Sequence, residues 1–301
     1  MCGVPQGSIL GPILFLLFIN DLPLCSQELE FLLFADDTNI FLQGRDLNQL
    51  RAVANRALTS VSNWLKSNKL TLNLNKTQFM VSQPLMTQPV TIDIYIDNIK
   101  LKQINSTKFL GVIIDHQLKW KNQIDDIKDK LSKFTGILYK IRSKLTEDHL
   151  KQIYFALVYP YLIYCSAIWG GAYKSYLDSL FVAQKKILRT MYYKGRYEHT
   201  NSLFKDAGLL KLYDILDLQA AIFVYKSLKL YSTNTGFIQL PPSRRVNELR
   251  IPLCITTHAQ HSILVRGTRI WNQLPDELRS SGSHYIFKSN YKKILFRKYV
   301  L

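Results

Sequence analysis

Asp36 and Asp37 stand side by side in FLLFADDTNIFL, residues 31–42, with apolar runs on either side. Adjacent carboxylates repel each other unless a cation holds them. A hard divalent ion such as Mg²⁺ takes such oxygens and keeps water and substrate phosphate in the rest of its shell. In two-metal phosphoryl transfer, ions roughly 3.5–4 Å apart activate an attacking hydroxyl and stabilise the leaving oxygen. That is the chemistry this pair could serve, as metal ligands for Mg²⁺ or Mn²⁺. The dipeptide alone is a weak signal, since it is usually a turn or a helix cap, so its setting decides.

The setting reads as a β-hairpin. Phe31–Phe34 and Thr38–Leu42 are short apolar runs astride the two aspartates, which places the carboxylates at the tip. Before them, Pro12 suits the first turn of a helix, and Ile13–Asn20 reads as a buried helix stopped by Asp21-Leu22-Pro23. After them, Asp46 can cap a helix running to about Lys69, with Leu47, Leu50, Val53, Ala54, Leu58, Val61 and Leu65 on one face. Leu70, Leu72 and Leu74 alternate with polar residues at strand spacing. Further strands are predicted at Val90–Ile96, Lys100–Ile104 and Lys108–Ile114.

From Trp120 the period changes. Trp120, Ile124, Ile127, Leu131, Phe134, Leu138, Ile141 and Leu145 step by alternating fours and threes, the apolar seam of one long helix, with lysines off the seam. A second helix is expected from Glu147 to about Trp169, kinked at Pro160, a third over Ser175–Met191, and a fourth over Leu209–Leu230. Ser232–Arg245 reads as a linker, and the tail from Val246 gives mixed signals.

Composition narrows the partners. The chain has 301 residues, 47% hydrophobic and 20% charged, which is a globular composition of about two domains. Four unpaired-looking cysteines (Cys2, Cys25, Cys165, Cys254) fit a reducing intracellular setting. The formal charge is +17. Residues 1–60 carry net −3, so the rest carries +20. A basic excess of that size with many aromatics favours a polyanion, most often nucleic acid. The apolar run Ile9–Ile19 is about half the ~20 residues a spanning helix needs. No signal or membrane segment is expected, and the chain reads as nuclear or cytoplasmic. Cys254, His258 and His261 offer three metal-type ligands without a fourth, which does not make a closed zinc site.

Four blocks in order then point to one family. GVPQGSILGPILFLLFINDL (3–22), LLFADDTNIFL (32–42), KLTLNLNKTQFMV (69–81) and KFLGVIIDHQLKW (108–120) resemble the reverse transcriptases of non-LTR, LINE-like retrotransposons, especially the jockey-like arthropod elements. The resemblance is specific over about residues 3–145 and diffuse to Met191. VRGTRIWNQLP at 265–275 also resembles a segment near the end of such reading frames.

The resemblance implies an α+β fold: a partial polymerase palm over residues 1–118, a helical thumb-like region over 119–231, and a linker with a C-terminal extension over 232–301. It implies RNA-directed DNA synthesis on an RNA template and DNA primer, with deoxynucleoside triphosphates and Mg²⁺ or Mn²⁺. Asp36 and Asp37 would be catalytic metal ligands, and Lys76 would neutralise or protonate departing pyrophosphate. Pro5, Gln6, Gly7, Ser8 and Asn73 would contact template and nucleotide. Phe109, Leu110 and Gly111 would form the primer grip, and Lys128, Lys133 and Lys140 would hold duplex phosphates.

There are two departures. Gln123-Ile124 stands where the family often has His-Ile. The family's fingers and first palm strand, with another catalytic aspartate, would precede Gly3. The expectation is therefore a C-terminal part of the enzyme that is inactive alone. The alternative is a nucleic-acid-binding transposon remnant without the chemistry.

Overall fold

In the computed structural model, residues 7–83, 90–229 and 248–299 are described. The expected linker over Ser232–Arg245 lies outside them. The architecture is α+β, divided into two units, Met1–Thr107 and Lys108–Leu301.

The first unit opens with α1 (Leu10–Ile19), followed by a 3₁₀ turn, Leu22–Cys25, with Pro23 at its start. Apolar residues surround this helix, yet only Ile19 among them is buried; Ile13 is 54% and Leu17 70% exposed. The expectation of a buried helix is thus corrected. One side alone meets the small cluster of Ile19, Leu22, Leu29, Ala57 and Val61, and no described residue of this unit buries the other.

β1 (Glu30–Phe34) and β2 (Asp37–Phe41) pair antiparallel, as their alternation predicts. Phe31, Leu33 and Ile40 pack on the cluster; Leu32, Phe34 and Phe41 face outward. α2 (Leu47–Ser67) starts where predicted, because the Asp46 carboxylate accepts hydrogen bonds from the Asn48 and Gln49 amides. Ala57 and Val61 of α2 close the same cluster.

Strand content is lower than the alternation suggests. Leu70–Leu74 joins no ladder. Leu72 and Leu74 instead pack with Ile94, Ile96 and Leu101 while the backbone turns at 74–76. β3 (Gln78–Phe79) lies where no strand is predicted, while the predicted strands Val90–Ile96 and Lys100–Ile104 shrink to two-residue pieces, β4 (Tyr95–Ile96), β5 (Ile99–Lys100) and β6 (Lys102–Gln103). β3 pairs with β6 in parallel, and β4 with β5 antiparallel. The β4–β5 loop, Asp97-Asn98, has both φ angles positive (50° and 62°), which suits tight hairpins and tolerates Asp and Asn. α2 clamps this loop: the buried Ser62 hydroxyl meets the Asp97 carboxylate at 2.7 Å and Lys66 Nζ at 2.8 Å.

The predicted strand Lys108–Ile114 is two strands, β7 (Ser106–Phe109) and β8 (Val112–Asp115), paired around Leu110-Gly111. Both turn residues have positive φ (44° and 85°), so the chain must reverse there.

The second unit is helical. α3 (Lys121–Ile141) buries Ile124, Ile127, Leu131 and Leu138, confirming the seam. Asp115 positions its start, accepting from the Gln117, Lys119 and Trp120 amides at 3.1, 3.0 and 2.8 Å. The expected second helix is broken. α4 (Glu147–Ile153) runs into a π-helical turn, Tyr154–Val158, then α5 (Tyr159–Ile163) begins with Pro160 in its first turn. Proline supplies no amide, and a π-bulge is a common site of kinking. Cys165 at φ 51° separates α6 (Ser166–Trp169).

α7 (Lys174–Met191) packs against α3, and α8 (Asn201–Asp206) leads to α9 (Leu212–Lys229). α9 is apolar around much of its circumference, so it must be covered on several sides. α6, α11 and α13 do so. The tail is therefore ordered: α10 (Thr257–His261), α11 (Ile263–Asn272), α12 (Asp276–Arg279) and α13 (His284–Arg297) belong to this unit, with Trp271, Phe287 and Leu295 in its core. Gln184, fully buried, donates to the Tyr154 hydroxyl and the Leu210 carbonyl and accepts from the Leu212 amide, so its amide leaves no donor or acceptor stranded.

Candidate active site and nucleic-acid surface

The register Phe34↔Asp37 leaves Ala35-Asp36 as a two-residue loop. Asp36 therefore lies in the turn and Asp37 begins β2. Ala35 has φ 50°, a region L-residues occupy at a cost, and such strain gathers at functional sites. Both carboxylates are exposed, and neither forms an ion pair or hydrogen bond among the described residues. Two exposed carboxylates suit a hard cation. They are the whole local set: no group of three or more His, Cys, Asp or Glu that could hold a metal occurs among the described residues.

Pro5 and Gln6 lie outside the described residues. Gly7 has φ 93° with open space where a side chain would be, which fits a backbone that something else can approach. The Ser8 hydroxyl accepts from the Gly11 amide at 3.0 Å and tightens the entry to α1. Asn73 organises the turn that presents Lys76. Its carbonyl accepts from the Lys76 and Thr77 amides at 3.0 Å, and its side-chain oxygen also meets the Lys76 amide at 3.3 Å. Lys76 itself is exposed.

In the second unit, the Phe109–Gly111 turn is held by Tyr164. The Tyr164 hydroxyl donates to the Leu110 carbonyl at 2.5 Å, and a Cβ on Gly111 would sit 3.4 Å from the Tyr164 ring. Gln123, the departure noted in sequence, is buried and accepts from the Ile113 amide at 2.8 Å, which ties β8 to α3. The three lysines of α3 differ. Lys128 pairs with Asp125 at 3.3 Å, whereas Lys133 and Lys140 are exposed with no ion pair among the described residues.

Sequence reasoning missed Asp115, Tyr164 and Arg266. Tyr164 and Arg266 act on backbone far away in sequence, whereas Asp115 acts on amides only a few residues further on. Arg266, in the VRGTRIWNQLP block, donates to the Ala167 carbonyl at 3.0 Å, capping α6. Burial pulls its pKa down, and Asp217 opposes that shift. His261 Nδ1 is engaged with the Gly171 carbonyl at 2.8 Å, which ties α10 to the turn after α6.

Comparison with known proteins gives the class. Residues 1–114 match the reverse transcriptase (RNA-dependent DNA polymerase) family. The chain is similar to mobile-element polymerases of insects. A probable RNA-directed DNA polymerase from transposon X-element of Drosophila melanogaster is 26% identical over 219 residues, covering 70% of this chain and 24% of that protein. The RNA-directed DNA polymerase from mobile element jockey of Drosophila funebris is also 26% identical, with the same coverages. A retrovirus-related Pol polyprotein from type-1 retrotransposable element R1 2 of Nasonia vitripennis is 26% identical over 56% of this chain and 43% of its own length. No solved structure matches the chain. The resemblance read from the four motif blocks is thus borne out. The longer similarities exceed either unit in length, so they draw on both. The chain spans about a quarter of the first two relatives. No helix among the described residues is long and apolar enough to cross a membrane.

Proposed function

We propose that this chain is the palm-derived and thumb-like part of an RNA-directed DNA polymerase of a non-LTR retrotransposon. In the whole protein, deoxynucleotides would be added to a primer 3′ end on an RNA template. The observation that carries the reading is the strained hairpin tip with two exposed, unpaired carboxylates, inside the segment matching the reverse transcriptase family.

Asp36 and Asp37 would supply one side of a Mg²⁺ or Mn²⁺ site. Such an ion, when bound, activates the primer hydroxyl and stabilises the leaving oxygen. Lys76, held out by the Asn73 turn, is suited to give charge or a proton to pyrophosphate. Gly7 and Ser8, with Pro5 and Gln6, would meet the template and the nucleotide. The Tyr164-braced turn would support the primer end. Lys133 and Lys140 would hold duplex phosphate, with Lys128 partly occupied by Asp125.

The test is a transplant. Residues 1–301 replace the aligned segment of the X-element relative, and primer extension is measured with and without Asp36→Ala. Extension that Asp36→Ala abolishes supports the reading; extension indifferent to Asp36 refutes it. A second reading, nucleic-acid binding without chemistry, is favoured by the free lysines, which do not depend on the carboxylates. Duplex binding by a transplant with no extension would select it.

A further inference from the structure

Two segments far apart in sequence build an aromatic and cationic surface at the C-terminal ends of α3 and α7. The Arg142 guanidinium carbon lies 4.5 Å from the centre of the Tyr139 ring and 4.2 Å from that of Tyr193. Arg142 also donates to the Thr190 carbonyl at 2.8 Å, so the guanidinium is fixed to the last turn of α7. Both rings remain open to solvent, at 64% for Tyr139 and 58% for Tyr193. Tyr197, 87% exposed, follows with Arg196 over its ring at 5.7 Å.

Packing does not explain these tyrosines. Tyr193 has φ 54°, and the Lys194 amide bonds back to the Arg189 carbonyl, a helix-ending turn whose left-handed position ordinarily takes glycine. A bulky residue there is costly, and this one spends the cost on an exposed ring. The turn is rigid. Glu198 accepts from the Gly195 amide at 2.6 Å and its carbonyl accepts from Arg189 at 2.9 Å. Glu198 also sits 3.6 Å from Lys194, so Lys194 is not a free cation. Lys140, Lys144 and Arg196 remain exposed. The nearby carboxylates of Glu147, Asp148 and Asp206 act on the half-buried Tyr192.

Pre-positioned aromatic faces, an Arg plane and free cations are what an unpaired strand uses. Bases stack on the rings without sequence preference while cations track the phosphates. We propose that Tyr139, Arg142 and Tyr193, with Tyr197 and Arg196, form a stacking platform for single-stranded nucleic acid. The proposal rests on the preceding reading only for the class of ligand. The rings do not require the catalytic carboxylates or a duplex.

The experiment uses the 301-residue chain and four probes: 12-nucleotide single strands of RNA and of DNA, and the matching duplexes. Tyr139→Ala with Tyr193→Ala should weaken single-strand binding at least about tenfold, the scale of one lost stacking contact or more. Duplex affinity should stay within about twofold. The Phe pair, which keeps the ring faces, should bind single strands like the parent, and circular dichroism should be unchanged in all variants. Photocrosslinking of a 5-iodouracil-substituted strand should map to Tyr139, Tyr193 or Tyr197. RNA and DNA strands affected alike support the platform, because stacking on a ring face is common to both. A loss confined to RNA overturns it, because stacking does not depend on the 2′-hydroxyl. Single-strand binding unchanged by the Ala pair overturns it, as does a Phe pair that loses affinity as badly as the Ala pair. If duplex binding is absent while Tyr-dependent strand binding persists, the platform stands and the polymerase reading falls.

Discussion

The Tyr164 hydroxyl and the Leu110 carbonyl meet at 2.5 Å, fastening the turn of the β7–β8 hairpin to the helical unit. Each is far from the other in sequence, and the bond fixes a turn whose two residues have positive φ. Tyr164→Phe removes the donor and leaves the ring. It should cost about 1 kcal/mol in urea melts. Gly111→Ala should cost about 1–2 kcal/mol, since alanine is strained at φ 85°. If the turn is a primer grip, both should raise the primer-end KM more than they lower kcat in the transplanted enzyme.

Asp97 gives a pH dependence. Hydrogen bonds from Lys66 and then Ser62 hold its carboxyl below the usual carboxylate range. Stability from this group is therefore complete above the unfolded value, about 3.9, and is lost as pH falls through the lower folded value. Chemical melts of the chain at pH 5 and pH 3 should show the first unit weakening, and Asp97→Asn should flatten that difference. A slope unchanged in Asp97→Asn would assign the acid sensitivity elsewhere.

The lysines of α3 should rank. Lys133→Glu and Lys140→Glu should each weaken duplex binding and lower the log–log salt slope by roughly 1 or more, whatever the sequence. Lys128→Glu should do less, because Asp125 already compensates that charge. Equal effects from all three would mean that the Lys128–Asp125 pair does not persist in solution.

Residues 1–301 by themselves should add no nucleotides at any Mg²⁺ or Mn²⁺ concentration. Two carboxylates on one hairpin tip cannot surround two ions and leave room for a hydroxyl and a triphosphate. Robust extension by this polypeptide would show that a further carboxylate completes the site.

Much of this was legible beforehand. The seam of α3 and the Asp46 cap of α2 announce themselves because helical period and local capping are written in neighbouring residues. The Asp36-Asp37 hairpin is equally local. The small strands of the first unit were overestimated, because alternating leucines at 70–74 serve a cluster through side chains without a partner strand to bond. The tail was unreadable for another reason: the burial of α11 and α13 comes from α9, which ends more than thirty residues before them. The Tyr139–Arg142–Tyr193 surface has no sequence signature at all, since only the packing of α3 on α7 brings its parts together.

Arg266 and Phe287 carry a consequence for how the chain is made. Arg266 caps α6, and Phe287 stacks 4.7 Å from Tyr225 of α9, so the middle of the helical unit waits on residues synthesised later. On a ribosome adding about 5–20 residues per second, α9 emerges several seconds before its covering helices and must stay shielded meanwhile. A reading frame that stopped after Lys229 would not yield a shortened thumb-like domain with a missing tail. It would release a nascent chain with an open core, destined for chaperones or proteolysis.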